Sequence, residues 1–214
     1  TVTHLAGNLT LLAGRDAFNG YAHKLESLGP LVVIAELGLL AMALLHVVSA
    51  VRVRQSQRTA RSVEYSMVTS KGGPSQQGVA SRSMLVTGVV LLVFLVLHVL
   101  QFKFGASEPE GYVATLDGHQ VRDLYRLVLE SFKSAPIVAA YVSVMLLLGV
   151  HLRHGFWSAF QSLGVLNPKL RPVAQTVSVV FACVMAFGFL MLPIYLYLFG
   201  PSAGAAGVAM AVRP

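Results

Sequence analysis

Four histidines sit inside long apolar runs: His4 in THLAGNLTLLAG, His46 in LLAMALLHVVSA, His98 in LLVFLVLHVLQF and His151 in MLLLGVHLRHGF. An ionisable group at the bilayer centre costs about 2.5–3.5 kcal/mol on insertion scales, so those that persist there tend to be functional. Neutral imidazole can ligate a metal, relay a proton or bond a neighbouring helix. One carboxyl, Glu36 in VVIAELGLL, lies in a comparable setting. The single cysteine, Cys183, excludes an intramolecular disulfide, a four-cysteine iron–sulfur site and a C-x-x-C-H haem attachment. It reads as a small core residue.

The elements that carry these residues follow from composition. Hydrophobic residues make up 55% of the 214, charged residues 12%, and the mean hydropathy is +0.68. Such a chain belongs in a membrane rather than among soluble domains. Four segments have the length of membrane helices: 30–53, 84–104, 136–160 and 173–199. Barrel strands would be shorter and would alternate, so the expected class is all-α, an integral membrane bundle. Residues 1–13 are too short to cross and end at Ala13-Gly14. They are expected to be the second half of a fifth transmembrane helix, the first in chain order, whose first half is absent from the sequence.

Helices that alternate in direction place the histidines at two depths. His4 and His98 lie six to nine residues before one end of their helices, roughly 9–14 Å below that surface, and His46 and His151 lie about as far from the other. Facing imidazoles at one depth suit bis-histidine ligation of haem b, with room for the porphyrin beside them from Gly7, Ser49 and Gly155, one turn on. Gln101 occupies that position after His98, where the room is less evident. The plainer alternative is four separate interhelical hydrogen bonds. Zinc fits poorly, because no carboxylate or thiol joins either pair. His154, one turn from His151, either bonds a haem propionate or caps the interface, whereas His23 and His119 read as surface residues.

The connection 52–82 carries Arg52, Arg54, Arg58, Arg61, Lys71 and Arg82 against Glu64 alone, and the next connection on that side adds Lys169 and Arg171. The opposite side balances its cations with Asp16, Glu26, Glu108, Glu110, Asp117, Asp123 and Glu130. The positive-inside rule therefore puts the Arg52 to Arg82 loop, expected to be irregular, in the cytoplasm. Most of the net +7 faces that side, where anionic lipid or a soluble partner would meet it. Across the membrane, VRDLYRLVLESFKS predicts a short helix lying at the outer interface. Pro193 is expected to kink the last helix, and Tyr195 and Tyr197 fit an outer aromatic belt. The Gly/Ala-rich tail from Gly200 to Pro214 carries no motif and is expected to be mobile.

The stretches HLAGNLTLLAGRDAFNGYAHKLESLG, IAELGLLAMALLHVVSAVRV, ASRSMLVTGVVLLVFLVLHVLQF and GVHLRHGFWSAFQSLG together resemble the cytochrome b membrane subunit of succinate dehydrogenase and fumarate reductase, in its five-helix dihaem form. The resemblance runs in order along nearly the whole chain, and H-x-x-G-N-L with H-x-x-H-G-F-W-S-A-F-Q-S-L-G are its most specific parts. It implies two haem b groups: one distal to the cytoplasm on His4 and His98, one proximal on His46 and His151. It also implies a flavoprotein subunit with FAD and an iron–sulfur subunit with its clusters, docked on the basic cytoplasmic face of a prokaryotic cytoplasmic membrane. The substrate of this chain would be membrane quinone, of the menaquinone type, and the dicarboxylate chemistry would belong to the partners. No nucleic-acid partner is implied. Glu36, near the level of His4 and His98, reads either as a proton-exchange group for quinone or as a structural carboxylate paired with Lys24 or another cation. A second quinone locus is expected near Ser81, Arg82 and Trp157. The competing readings are a cytochrome b subunit of a hydrogenase or formate dehydrogenase, or a haem-free transporter. A transporter would favour paired broken helices or an internal repeat, and the sequence has neither.

Overall fold

The computed structural model describes residues 1–59 and 79–201 of the chain. Most of the expected irregular loop, with Arg61, Glu64 and Lys71, lies outside the described residues, as do the side chains of Arg58, Ser81 and Arg82 and the tail from residue 202 on.

Among the described residues the chain is mostly helical. Helix α1, Val2–Leu9, tightens into a 3-10 turn at Thr10–Ala13 and stops at Gly14, whose φ of +99° suits glycine. Helix α2 follows at Arg15–Glu26. The long helices are α3 (Pro30–Thr59), α4 (Val79–Phe102), α6 (Ala135–Ser162) and α7 (Leu170–Phe199). These four are long and apolar enough to cross a membrane. Strands β1 (Val113–Leu116) and β2 (His119–Arg122) and helix α5 (Leu124–Ser131) lie between α4 and α6.

Three expectations change. Helix α3 runs six residues past Val53, since Arg-Gln-Ser-Gln-Arg-Thr contains no breaker. The Arg15–Glu26 segment is a helix rather than a plain connection, with Asp16 in its first turn and Lys24 in its last to complement the dipole. The bundle also carries one antiparallel hairpin, pairing Val113 with Arg122 and Leu116 with His119. Asp117 and Gly118 both have positive φ, the geometry that a two-residue hairpin turn requires.

The expected short helix is present as α5, but it does not simply lie at an interface. Its Tyr125, Leu127, Val128 and Leu129 are buried, and all but Leu127 pack with Leu11, Phe18, Phe132, Val138 and Leu196 into a core at one end of the bundle. Full burial of such side chains stabilises by about 1.5–3 kcal/mol each in water. A polar knot ties the same cap together. Asp123, 1% exposed, caps α5 by accepting from Arg126 N (3.1 Å), accepts Asn19 Nδ2 (2.9 Å) and pairs with Arg15. Asn19 Oδ1 in turn accepts Tyr125 N at 2.9 Å.

The cap also finishes the long helices. Arg122 spends its guanidinium on the carbonyls of Phe102 (2.8 Å), Lys103 (3.2 Å), Gly105 (3.2 Å) and Ala106 (3.1 Å), which closes the end of α4. Lys133 Nζ donates to Gly200 O at 2.6 Å at the end of α7. Helix α7 runs unbroken through Pro193, which is buried, and closes tightly on two neighbours. A Cβ at Gly149 of α6 would meet Ala186 at 2.9 Å, and one at Gly188 would meet Leu5 of α1 at 2.7 Å. Helix α4 packs on α6, whereas α3 stands apart with most of its apolar side chains exposed.

Candidate functional site

The histidines meet in the two pairs that their depths predict. His4 of α1 faces His98 of α4 with ring centroids 5.8 Å apart and planes at 87°. His46 of α3 faces His151 of α6 at 6.2 Å and 74°. Metal–imidazole bonds of about 2 Å on opposite sides of one ion would set ring centroids about 6 Å apart, and near-perpendicular ring planes can share that axis. Among the described residues no group of three or more His, Cys, Asp and Glu comes together, so these are pairs without a third ligand. That donor set suits a metal whose other positions are filled by a planar group.

Each pair has one histidine held through Nδ1. His98 Nδ1 lies 3.1 Å from the Tyr141 hydroxyl, which donates to Gln101 Oε1 at 2.8 Å. His151 Nδ1 lies 3.2 Å from Thr87 Oγ1, which donates to the carbonyls of Ser83 (3.0 Å) and Met84 (3.2 Å) of its own helix. Sequence reasoning missed Tyr141 and Thr87, and Gln101, which there weakened the case for His98, serves it through the tyrosine. At His4, Nε2 faces Asn8 Nδ2 at 3.2 Å, so ligation through Nε2 requires the Asn8 amide to rotate away.

The surroundings of the pairs differ. Phe94 stacks on His98 at 5.5 Å, Phe102 meets it at 5.2 Å, and Phe189 of α7 lies 5.8 Å from His4. Helix α7, without a ligand of its own, thus supplies a wall of this site. The room expected beside Gly7 is filled by Tyr21 of α2, since a Cβ at Gly7 would fall 2.5–2.6 Å from its ring. The His46–His151 pair is more open: Gly155 has no neighbour within 4 Å of a notional Cβ, and Gly88 would place one 3.6 Å from His151 Cε1. Gly88 was not singled out by its sequence. His154 is half-buried one turn beyond His151, and Trp157 is half-buried near the same end.

Glu36 pairs with Lys103, so the cation of its structural reading is Lys103 rather than Lys24. Lys103 lies five residues beyond His98, which places the pair at the end of the bundle that holds the His4–His98 rings. With His46 against His151, this ion pair links the outlying α3 to the other helices.

The depth of the two pairs can be read twice. Thr87 and His98 are eleven residues apart on α4, and Tyr141 and His151 ten apart on α6, so helix rise puts the pairs about 15–17 Å apart along the bundle on either helix. Comparison with protein-family models, curated proteins and solved structures finds no match to this chain.

Proposed function

We propose that the chain is the membrane anchor and electron-transfer subunit of a succinate:quinone oxidoreductase, with five membrane crossings and two haem b sites. The observation that carries this reading is the pairing of four histidines on apolar helices into two opposed imidazole couples near 6 Å, with His98 and His151 held through Nδ1. His4 and His98 would hold the distal haem, and His46 and His151 the proximal one. Haem iron, when bound there, supplies reversible one-electron uptake.

The chain's own residues do the rest. The aromatic side chains Phe94, Phe102 and Phe189 flank the distal couple. Glu36 offers a carboxyl for proton exchange at that end, paired with Lys103. The open side of Gly155 and the half-buried His154 offer space and a polar contact for a proximal propionate. Arg52, Arg54, Lys169 and Arg171 mark the cytoplasmic end, where an iron–sulfur subunit and, beyond it, a flavoprotein dock. His4 is exposed on its helix, on the side where menaquinone in the lipid would meet the distal couple.

The test is purification of the tagged chain from its native membrane. The reading expects a flavoprotein and an iron–sulfur protein in equimolar amount and succinate-dependent quinone reduction by the isolate. A chain that purifies without them, or with a hydrogenase or formate dehydrogenase, contradicts it.

A further inference from the structure

We infer that Tyr141, polarised by Gln101, and Thr87 are positioning residues that fix which nitrogen of His98 and His151 carries the proton, and thereby set the electron affinity of the group each histidine ligates. The inference rests on the bis-histidine reading above.

The argument is proton counting. A tyrosine hydroxyl has one proton, and that of Tyr141 goes to Gln101 Oε1 at 2.8 Å. Toward His98 Nδ1, 3.1 Å away, the same oxygen can only accept, so Nδ1 must carry the ring proton. A neutral imidazole has one N–H, which leaves Nε2 with its lone pair bare. The second site repeats the logic with different parts. Thr87 turns its proton back on the Ser83 and Met84 carbonyls, as threonines in helices do, and its oxygen then accepts from His151 Nδ1 at 3.2 Å. The arrangement is reciprocal: α6 supplies the acceptor for the α4 histidine, and α4 the acceptor for the α6 histidine.

An N–H bonded to oxygen makes the opposite ring nitrogen a stronger donor to metal, which favours the more highly charged metal state. Removing the acceptor therefore raises the reduction potential of that site. The two acceptors belong to different pairs and lie about 15 Å apart along the bundle, so each can be cut without touching the other. Tyr141 also packs edge-on to Phe94 and Phe132 at 4.9 Å each, contacts that phenylalanine preserves.

The experiment is an absorbance redox titration of the complete purified complex in wild type, Tyr141→Phe, Thr87→Val and Gln101→Leu. Wild type should show two b-type midpoints. Tyr141→Phe should raise one of them, by as much as tenfold in the oxidised-to-reduced ratio, about 59 mV for one electron. Thr87→Val should raise only the other, and Gln101→Leu should move the same midpoint as Tyr141→Phe in the same direction. Unmoved midpoints in both Tyr141→Phe and Thr87→Val overturn the inference, as does an equal shift of both midpoints in each variant. Absence of b-type absorbance in wild type overturns the bis-histidine reading itself, a result distinct from either.

Discussion

Replacing Asp123 with alanine removes three partners at once from the cap that holds the ends of the bundle. Asp123 is 1% exposed and its oxygens serve Asn19 Nδ2, Arg126 N and Arg15. Loss of the α5 cap costs about 1 kcal/mol. The stranded amide of the buried Asn19 costs about 1–3 kcal/mol more. Arg15 is partly exposed, so its lost ion pair adds no more than about 1 kcal/mol. The total is about 2–5 kcal/mol. At about 2–4 °C per kcal/mol for a chain of this size, the apparent melting midpoint should fall by about 4–20 °C. Asp123→Asn keeps an oxygen for Asn19 and for the cap and should lose less than half as much. Near-ultraviolet circular dichroism of the purified chain in detergent follows the melt, with the exposed Glu108→Ala as control. A midpoint for Asp123→Ala within about 2 °C of that control would refute the reasoning.

Glu36→Gln should abolish quinone turnover while leaving both haems bound. Its cost in stability should stay within about 1 kcal/mol, because Glu36 and Lys103 are both exposed by more than a third; normal turnover in a quinone-reductase assay removes Glu36 from the mechanism. Gly88→Ala should be tolerated, since a Cβ there meets His151 at an ordinary 3.6 Å, whereas Gly88→Leu should displace His151 and halve the bound haem measured by difference spectroscopy. The hydroxyl of Tyr112 and then the guanidinium of Arg126 hold the Glu130 carboxyl below the ordinary carboxylate range. A depressed carboxyl stabilises fully above its unfolded value and loses that contribution as pH falls through the folded one. Acid melts of the cap should therefore steepen below the ordinary carboxylate range in wild type, and Glu130→Gln should flatten that dependence.

The pairing of the histidines was legible because helix direction and residue count alone set depth, and a polar group in an apolar run is conspicuous. Its supports were not legible. Tyr141, Thr87 and Gln101 find their histidines through rotation about the helix axis, which apolar helices without a polar stripe do not reveal. The hairpin had a signal in Asp117-Gly118 between two short runs, but both strands are only four residues long. Helix α2 was obscured by its few apolar residues, and its packing comes from Phe18 and the bond from Asn19 to Asp123, a partner more than 100 residues away. Gly7 shows the limit of reading space from small residues, because what fills the space is Tyr21, on a different helix.

The account is tested most directly by haem b content per chain, assayed as the pyridine haemochrome in purified wild type, His98→Ala, His151→Ala, the double variant and the exposed-site control His23→Ala. Two opposed imidazole couples predict about two haems in wild type and His23→Ala, about one in each single variant and none in the double. A wild-type chain without haem, or single variants that keep both, would contradict it.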